Sequence, residues 1–471
     1  MAKTRVGFKT FGCKLNQYDS DFLKQAFRDA GFTVAERCPF DLVVVNTCAV
    51  TARSAAKCRQ AVRQAARSGA KVLVTGCYSQ VAQEELKDLP GVIAVTGVPD
   101  RQSLVEFAST ALQSGAKVVD VRPYSSDEAF QETPVREPSL TRAFLKIQEG
   151  CDDYCTYCIV PYARGPSRSR PLQSILEEAR SLVGKGYKEI ILTGTHIGLY
   201  GKDLSKAPDE KNLSKALDGK DLGKAPGLKE DQEGEDKAGS NTDVPVAVDL
   251  PTVVRRLTEI DGLIRLRISS LEPHDVTPEL VHCLRFPQVC NHLHLPVQSG
   301  SDKVLRMMGR RYDVDAFLDI VGQVRRVAPD IGLSADVIVG FPGETEADFE
   351  ATLDVIRQAG FSRLHVFKFS PRPGTPAFGF PGKVPGREMD RRSKAVIALG
   401  KELSLDFHRK LIGREVEILV EDDRARDGKL QGFTRNYVRA WFDGPDELKG
   451  RIIAVRPYKA TYEGLLCERV T

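Results

Sequence analysis

The segment Gly150-Cys151-Asp152-Asp153-Tyr154-Cys155-Thr156-Tyr157-Cys158 sets three thiols in C-x3-C-x2-C spacing. Three thiolates on one short loop can hold three corners of a four-iron cubane and leave its last iron open to an outside ligand. A structural zinc site would want four protein ligands in a closed tetrahedron. No further Cys or His lies nearby in sequence, the next being His196, so the spacing favours iron over zinc. A second set is dispersed. Cys13, Cys48 and Cys77 each follow an apolar run, at residues 5–11, 41–47 and 71–75. If those runs are strands of one parallel sheet, the three thiols share its carboxyl edge, where ligand sites of open α/β sheets lie. Small buried cysteines also occupy such turns, but three at equivalent positions point to a shared metal site. Gly12 and Gly76 would let backbone approach a cluster closely.

The elements that must position these thiols read as strands alternating with helices. Strands are expected at 5–11, 41–47, 71–75 and 92–96, with helical periodicity at 19–30, 52–67 and 79–89. That alternation implies a parallel sheet with helices on its faces. Residues 121–141, with Pro123, Pro134 and Pro138, read as a linker. Six further strand–helix units follow, with strands at 143–148, 189–193, 265–269, 292–296, 333–339 and 363–369. They suit an open doubly wound sheet or a partial barrel, and periodicity alone does not choose. Residues 386–411 read as one helix. Short β-like runs from 412 onward suit a small β-barrel.

Composition bounds the rest. The chain has 471 residues, 41% hydrophobic, with net charge +4, so collagen-like, wholly disordered and membrane classes are excluded as expectations. No export signal and no spanning run of about 18 apolar residues is present, and a cytoplasmic location is expected. The 11 cysteines then read as partly metal ligands rather than disulfides. Cys38, Cys58, Cys283, Cys290 and Cys467 lack such placement and read as structural. Residues 202–228 are three copies of a nine-residue unit, and 202–243 as a whole is polar, free of aromatics and charged −3. Such a stretch cannot bury enough apolar surface to offset its ordering entropy, so a disordered insert is expected, with a partner-binding role as the alternative.

With Tyr157 ahead of its last Cys, the 151–158 motif resembles radical S-adenosylmethionine enzymes, and the whole chain outside 202–243 resembles their methylthiotransferase family. The resemblance implies an α/β protein of three parts: a Rossmann-like cluster domain over residues 1–120, a partial (β/α)6 radical barrel over 142–385, and a TRAM-like RNA-binding barrel over 404–471. The linker 121–141 and a connecting helix at 386–403 join them. It implies two [4Fe-4S] clusters and S-adenosylmethionine, chemistry no side chain supplies. Cys151, Cys155 and Cys158 would hold the radical-generating cluster. Cys13, Cys48 and Cys77 would hold an auxiliary one that carries the sulfur to be inserted. Expected partners are tRNA, a reducing electron donor such as flavodoxin or ferredoxin, and a sulfur source, with no membrane.

Three branches of the family act on isopentenyladenosine in tRNA, on threonylcarbamoyladenosine beside the anticodon, or on an aspartate of a ribosomal protein. Gly12-Cys13-Lys14-Leu15-Asn16-Gln17-Tyr18 is similar to the second branch, because the first more often has Gln after the Cys. The stretches 192–201 and 161–171 are similar to it as well. The expected activity is insertion of methylthio at carbon 2 of that adenosine. A non-catalytic RNA-binding protein with closed zinc sites is the reading from another class.

Other residues join as candidates. The family's glycine motif after the second barrel strand points to Gly194 and Gly198 as cofactor contacts, beside Tyr157. Ser270, Glu272 and Gln298 follow strands three and four, where polar groups of barrels form sites. Glu272 could equally cap the helix that begins at Pro273. Arg164, Arg168 and Arg170 have no acid among them and could pair with tRNA phosphates or form a solvated loop. Tyr437 and Trp441 could stack on bases, with core filling the simpler role for Trp441. His196, His274, His292 and His294 read as packed or hydrogen-bonded residues.

Overall fold

The computed structural model describes residues 4–125, 128–204 and 248–470. The expected disordered insert lies, from residue 205 on, outside the described residues. The N-terminal strands are β1 (Arg5–Thr10), β2 (Thr33–Val34), β3 (Leu42–Thr47), β4 (Lys71–Gly76), β5 (Val92–Thr96) and β6 (Val118–Asp120). They form one sheet in the order β2-β1-β3-β4-β5-β6, and every pairing is parallel. β3, Leu-Val-Val-Val-Asn-Thr, is buried along its whole length, as a central strand covered on both faces should be. Separate apolar clusters pack on the two faces, one around Val43, Val45 and Val74 and the other around Val44, Leu73 and Phe27. The helix Ala52–Arg67 begins where Thr51 accepts a hydrogen bond from Ser54 N, an N-cap that satisfies an orphan donor.

The six central strands are β7 (Ala143–Lys146), β10 (Glu189–Thr193), β11 (Arg265–Ile268), β12 (His292–His294), β13 (Gly332–Val339) and β14 (Arg363–Lys368). A short antiparallel pair, β8 (Gln148–Glu149) with β9 (Arg168–Ser169), lies between the first two. β7, β10 and β11 pair in parallel, as do β12, β13 and β14. Parallel bridges Leu266–Val289 and Ser270–His294 join the two halves. The six strands thus run in sequential order round an incomplete barrel, which decides against a doubly wound sheet. Their carboxyl ends form one rim.

The last strands, β15 (Val416–Val420), β16 (Leu430–Thr434), β17 (Arg439–Phe442), β18 (Ile452–Ala460) and β19 (Leu465–Arg469), close into a small barrel. The helix Gly386–Arg409 leads into it. This barrel is locked to the foot of the central one. Arg267 donates to the Arg435 and Thr434 carbonyls at 3.0 and 3.3 Å, and Arg265 to the Phe433 carbonyl at 3.1 Å. A Cβ on Gly332 would stand 2.2 Å from the Asn436 carbonyl oxygen, so the two backbones meet there without room for a side chain. Among the described residues no helix is long and apolar enough to cross a membrane.

Candidate functional site

Strand register brings the dispersed thiols together. Thr47 lies opposite Gly76 in the β3–β4 pair, so Cys48 and Cys77 leave adjacent strands side by side. Thr10 lies opposite Asn46, which sets Cys13 on the neighbouring turn. Gly12 has φ +106°, and a Cβ there would stand 3.1 Å from Cys48 Sγ, so glycine is required for the approach. Asn16 ties the turn down: its Nδ2 donates to the Phe11 and Thr47 carbonyls at 2.6 and 2.9 Å. Cys48 and Cys77 are buried and Cys13 is exposed, which leaves the triad one open side.

The second triad sits on the loop after β8. Gly150 turns at φ +81°, and a Cβ there would meet the Pro166 carbonyl oxygen at 1.7 Å. Gln148 Nε2 donates to the Gly150 carbonyl at 2.8 Å, and its Oε1 accepts from His196 N at 2.8 Å. Tyr157 packs edge-on against Phe341. Arg310 Nη1 lies 3.4 Å from Cys155 Sγ, and the same guanidinium pairs with Glu272. The helix Val160–Arg164 starts two residues after Cys158, and its Ile159–Ala163 side packs into the N-terminal core beside Cys77 and Tyr78. The two triads are therefore neighbours across one seam.

The donor sets fit a bound cationic cluster. All eleven cysteines are free thiols. Burial pushes Cys158 up to about 12 and Cys77 up to about 11, and raises Cys48 and Cys155. Buried thiols of this kind lose their protons readily only to a metal. Gln298, held at φ +59°, keeps a buried Oε1 without a hydrogen-bond partner, on the rim where a polar ligand would end.

His196, distant in sequence, comes to 3.5 Å from Cys151 Sγ. Its nitrogens are already engaged, Nε2 with Asp275 at 2.5 Å and Nδ1 with Asp153 at 3.2 Å. Burial opposes charge on this ring, but hydrogen bonds to Asp153 and Asp275 overcome it and push His196 up to about 12. A Cβ on Gly198 would lie 2.2 Å from Asp275 Oδ2, and one on Gly194 would lie 2.8 Å from the Gln148 carbonyl oxygen. Both glycines thus have a packing reason in this cluster. Ser270 is exposed on the rim, its backbone bridged to His294. Glu272 precedes the turn at Pro273 without a side-chain cap, so its partner is Arg310 and not the helix.

The arginine loop departs from both of its sequence readings. Arg164, Arg168 and Arg170 are 2, 5 and 2% exposed, so none is a solvated or phosphate-facing residue. Arg164 pairs with Glu149 at 2.5 Å and Asp19 at 3.0 Å, and donates to Asn16 Oδ1 at 2.6 Å. Arg170 pairs with Glu178 and with Glu132 at 2.9 Å. Arg168 donates to the Pro166 and Arg164 carbonyls and lies over the Tyr124 ring. Arg101 and Lys146, also buried, share Asp19 and Glu149 with Arg164. The seam between the triads is thus a closed network of three cations on two carboxylates.

Tyr437 is not the open surface ring expected from sequence, although it borders the cleft described below. The β16–β17 turn holds it at φ +66° and inserts it into the foot of the central barrel. Its ring stacks on Phe433, lies 4.7 Å from His292, and sits 4.5 Å below the Arg267 guanidinium. Trp441 is half-buried and lines a cleft of about 440 Å³ with Arg363, Lys401, Arg439 and Tyr462. Cys38 is exposed, against the structural reading, whereas Cys58, Cys283, Cys290 and Cys467 are buried.

Histidines line the lumen. His292 and His294 share Ser334 Oγ at 3.0 and 2.9 Å, and the His294 and His365 rings lie 5.7 Å apart. Burial drops His365 to about 4 and holds His292 well below 6.5. As pH falls through 6.5, the unfolded chain takes up these protons and the folded one does not. The neutral-histidine contribution is therefore complete above about 6.5 and is lost toward pH 4. Each such proton is worth up to about 1.4 kcal/mol per pH unit. Urea titrations between these limits should show stability falling with pH, and His365→Gln should flatten that slope. An unchanged slope in the variant would contradict the assignment.

Sequence reading gave no role to Asn16, Gln148, Asp275 or Arg310. Asn16 and Gln148 flank the thiols closely enough to have been suspected. Nothing in the sequence signals Asp275 or Arg310, whose partners come from other strands.

Residues 145–356 match the Radical SAM superfamily, and residues 5–97 match Uncharacterized protein family UPF0004. The chain is 35% identical to the threonylcarbamoyladenosine tRNA methylthiotransferase MtaB of Bacillus subtilis, over 97% of this chain and 94% of that one. It is 33% identical to the protein of that name from Thermotoga maritima, over 98 and 96%. It is 34% identical to a tRNA-2-methylthio-N(6)-dimethylallyladenosine synthase of Moorella thermoacetica, over 98 and 97%. In fold it is similar to the radical S-adenosylmethionine methyltransferase TsrM of Kitasatospora setae, with TM-score 0.52 at 16% identity, over 80% of this chain and 75% of that one.

Proposed function

The chain belongs to the methylthiotransferases of the radical S-adenosylmethionine superfamily, and from that membership we propose a specific substrate and a use for each thiol triad. Cys151, Cys155 and Cys158 hold one [4Fe-4S] cluster, and Cys13, Cys48 and Cys77 hold a second. The reaction places methylthio on carbon 2 of threonylcarbamoyladenosine in tRNA. The observation that carries this reading is the adjacency of two three-thiol sites, joined by the helix Val160–Arg164. Each triad leaves one cluster position for an outside ligand, as closed zinc sites would not.

When bound, the clusters and S-adenosylmethionine supply one-electron cleavage of the cofactor and a carrier for sulfur. The chain's own residues position and shield. Tyr157 and Phe341 wall one side of the radical triad. Arg310 sets positive charge beside Cys155. Gly194, Gly198, Ser270, Glu272 and Gln298 lie at the carboxyl rim, with the unpartnered Gln298 Oε1 as the group best suited to a cofactor hydrogen bond. RNA contact falls to the cleft of Arg363, Lys401, Arg439, Trp441 and Tyr462, where cations and rings alternate. A reduced flavodoxin or ferredoxin and a sulfur source complete the reaction, in the cytoplasm.

The test is anaerobic turnover with methyl-labelled S-adenosylmethionine and tRNA carrying threonylcarbamoyladenosine, followed by nucleoside mass spectrometry. Label with a methylthio mass gain on that nucleoside is expected. Label on isopentenyladenosine or on ribosomal protein would move the chain to another branch. No cofactor cleavage at all would leave a non-catalytic RNA-binding protein.

A further inference from the structure

The seam between the two triads does not balance its own charge. Arg101, Lys146, Arg164, Asp19 and Glu149 are all buried. Arg164 reaches Glu149 at 2.5 Å and Asp19 at 3.0 Å. Arg101 pairs with Glu149 and reaches Asp19 at 3.2 Å, and Lys146 lies 3.4 and 3.5 Å from the two acids. Among the described residues no other carboxylate lies within ion-pair distance of these cations. Three buried cations on two buried carboxylates leave one positive charge over. Such a charge is costly in a low-dielectric interior unless an anion comes to it.

The surplus points one way. Arg164 closes the helix Val160–Arg164 of the central unit, yet its Nη2 donates at 2.6 Å to Oδ1 of Asn16 in the N-terminal unit. That oxygen lies 3.9 Å from Cys77 Sγ. One amide oxygen therefore stands between the guanidinium and the thiol. The amide is not free to turn away, because its Nδ2 donates to the Phe11 and Thr47 carbonyls, just ahead of Cys13 and Cys48. The side chains of Arg101 and Lys146 face the shared acids instead.

We propose that Arg164 is a positioning residue for the N-terminal site, the counter-charge that sets how readily a cluster on Cys13, Cys48 and Cys77 takes up an electron. This rests on the two-cluster reading above. Three thiolates on a doubly positive four-iron core sum to one negative charge, and net charge is one of the terms that sets such a potential. That charge is equal and opposite to the surplus in the seam. A one-electron reduction adds a second negative charge, so a fixed cation alongside favours the reduced state. A unit charge at this range, in an interior of effective dielectric about 20, shifts a one-electron equilibrium by about tenfold or more. Because the cation belongs to the central unit, the N-terminal site acquires its potential only when the two units are docked.

The experiment is a dithionite titration followed by electron paramagnetic resonance. It uses reconstituted full-length protein with Cys151, Cys155 and Cys158 replaced by Ala, so that the signal comes from the N-terminal site. Adding Arg164→Gln leaves two cations on two carboxylates, and the seam stays paired. It should make the cluster harder to reduce by about tenfold, a potential about 59 mV more negative for one electron. Arg164→Lys should restore most of the parent value. Asp19→Asn enlarges the surplus and should move the potential the opposite way. Shifts of opposite sign follow charge, and a general loosening of the site does not produce them. An unchanged potential in Arg164→Gln at equal iron content, or shifts of one sign in both variants, would overturn the assignment while the two-cluster reading stands. Should Arg164→Gln retain no iron, Asp19→Asn decides: a more positive potential upholds the assignment and any other result overturns it. Absence of iron from the parent protein would remove the two-cluster reading and this inference with it.

Discussion

Anaerobically reconstituted protein is expected to hold about eight irons and eight acid-labile sulfides per chain, since each cubane holds about four of each. Joint replacement of Cys151, Cys155 and Cys158 by Ala should leave about four irons and abolish cofactor cleavage. Joint replacement of Cys13, Cys48 and Cys77 should also leave about four, but should retain cleavage and lose methylthiolation. The triads are expected to load independently because different backbone features build them. One depends on the register of β1, β3 and β4, and the other on the turn at Gly150 and its Gln148 clasp. About four irons in wild type, falling to none in the first variant, would mean that the N-terminal thiols hold no cluster. Methylthio transfer would then be withdrawn in favour of a generic radical enzyme.

Glu149→Ala is expected to cost about 3–5 kcal/mol of stability at neutral pH. Arg101, Lys146 and Arg164 are all buried, and Glu149 and Asp19 are the carboxylates they share. Removing Glu149 leaves three desolvated cations around one carboxylate. Burial works against the Glu149 charge, yet the flanking cations, Arg101 first, hold its carboxyl well below the ordinary range, so the charge is present throughout the neutral region. Urea titration reads the loss, and limited proteolysis should show new cleavage near Glu132, which pairs with Arg170. A loss under about 1 kcal/mol would mean that apolar packing alone joins the two units. Glu149→Gln should fall between wild type and Ala, since it keeps hydrogen bonds but not the charge.

The fold class was legible because core strands carry their own signature. The unbroken apolar run that opens β3, Leu-Val-Val-Val-Asn-Thr, reads as a central strand with no help from context. The helix Ala52–Arg67 and the strands Val92–Thr96 and Glu189–Thr193 stand where periodicity puts them. Edge strands Thr33–Val34 and Val118–Asp120 are short and half-exposed, and exist mainly by pairing, so no local pattern marks them. The region 79–89 is not one helix but two short ones, Cys77–Val81 and Glu84–Lys87.

At the site, thiol spacing survives translation into three dimensions, because strand ends and one short loop fix it. Charge does not. Arg164 looks unpaired in sequence because Asp19 lies 145 residues away, and Tyr437 looks like a surface ring because His292 and Arg267 belong to a different unit. Long-range partners decide whether a polar residue faces RNA or is buried, and local sequence is silent about them.

The Tyr437 insertion has a consequence for how a substrate is chosen. A tethered RNA-holding unit would sample many positions over the reaction centre. Here the C-terminal barrel is keyed into the floor of the central one by Tyr437 and by the carbonyls that cap Arg265 and Arg267. The span from grip to rim is then a ruler of fixed length. On the proposed reading, in which this barrel holds tRNA, a nucleotide would be selected by how far it lies along the anticodon arm, and RNAs of unlike sequence but like shape would measure the same.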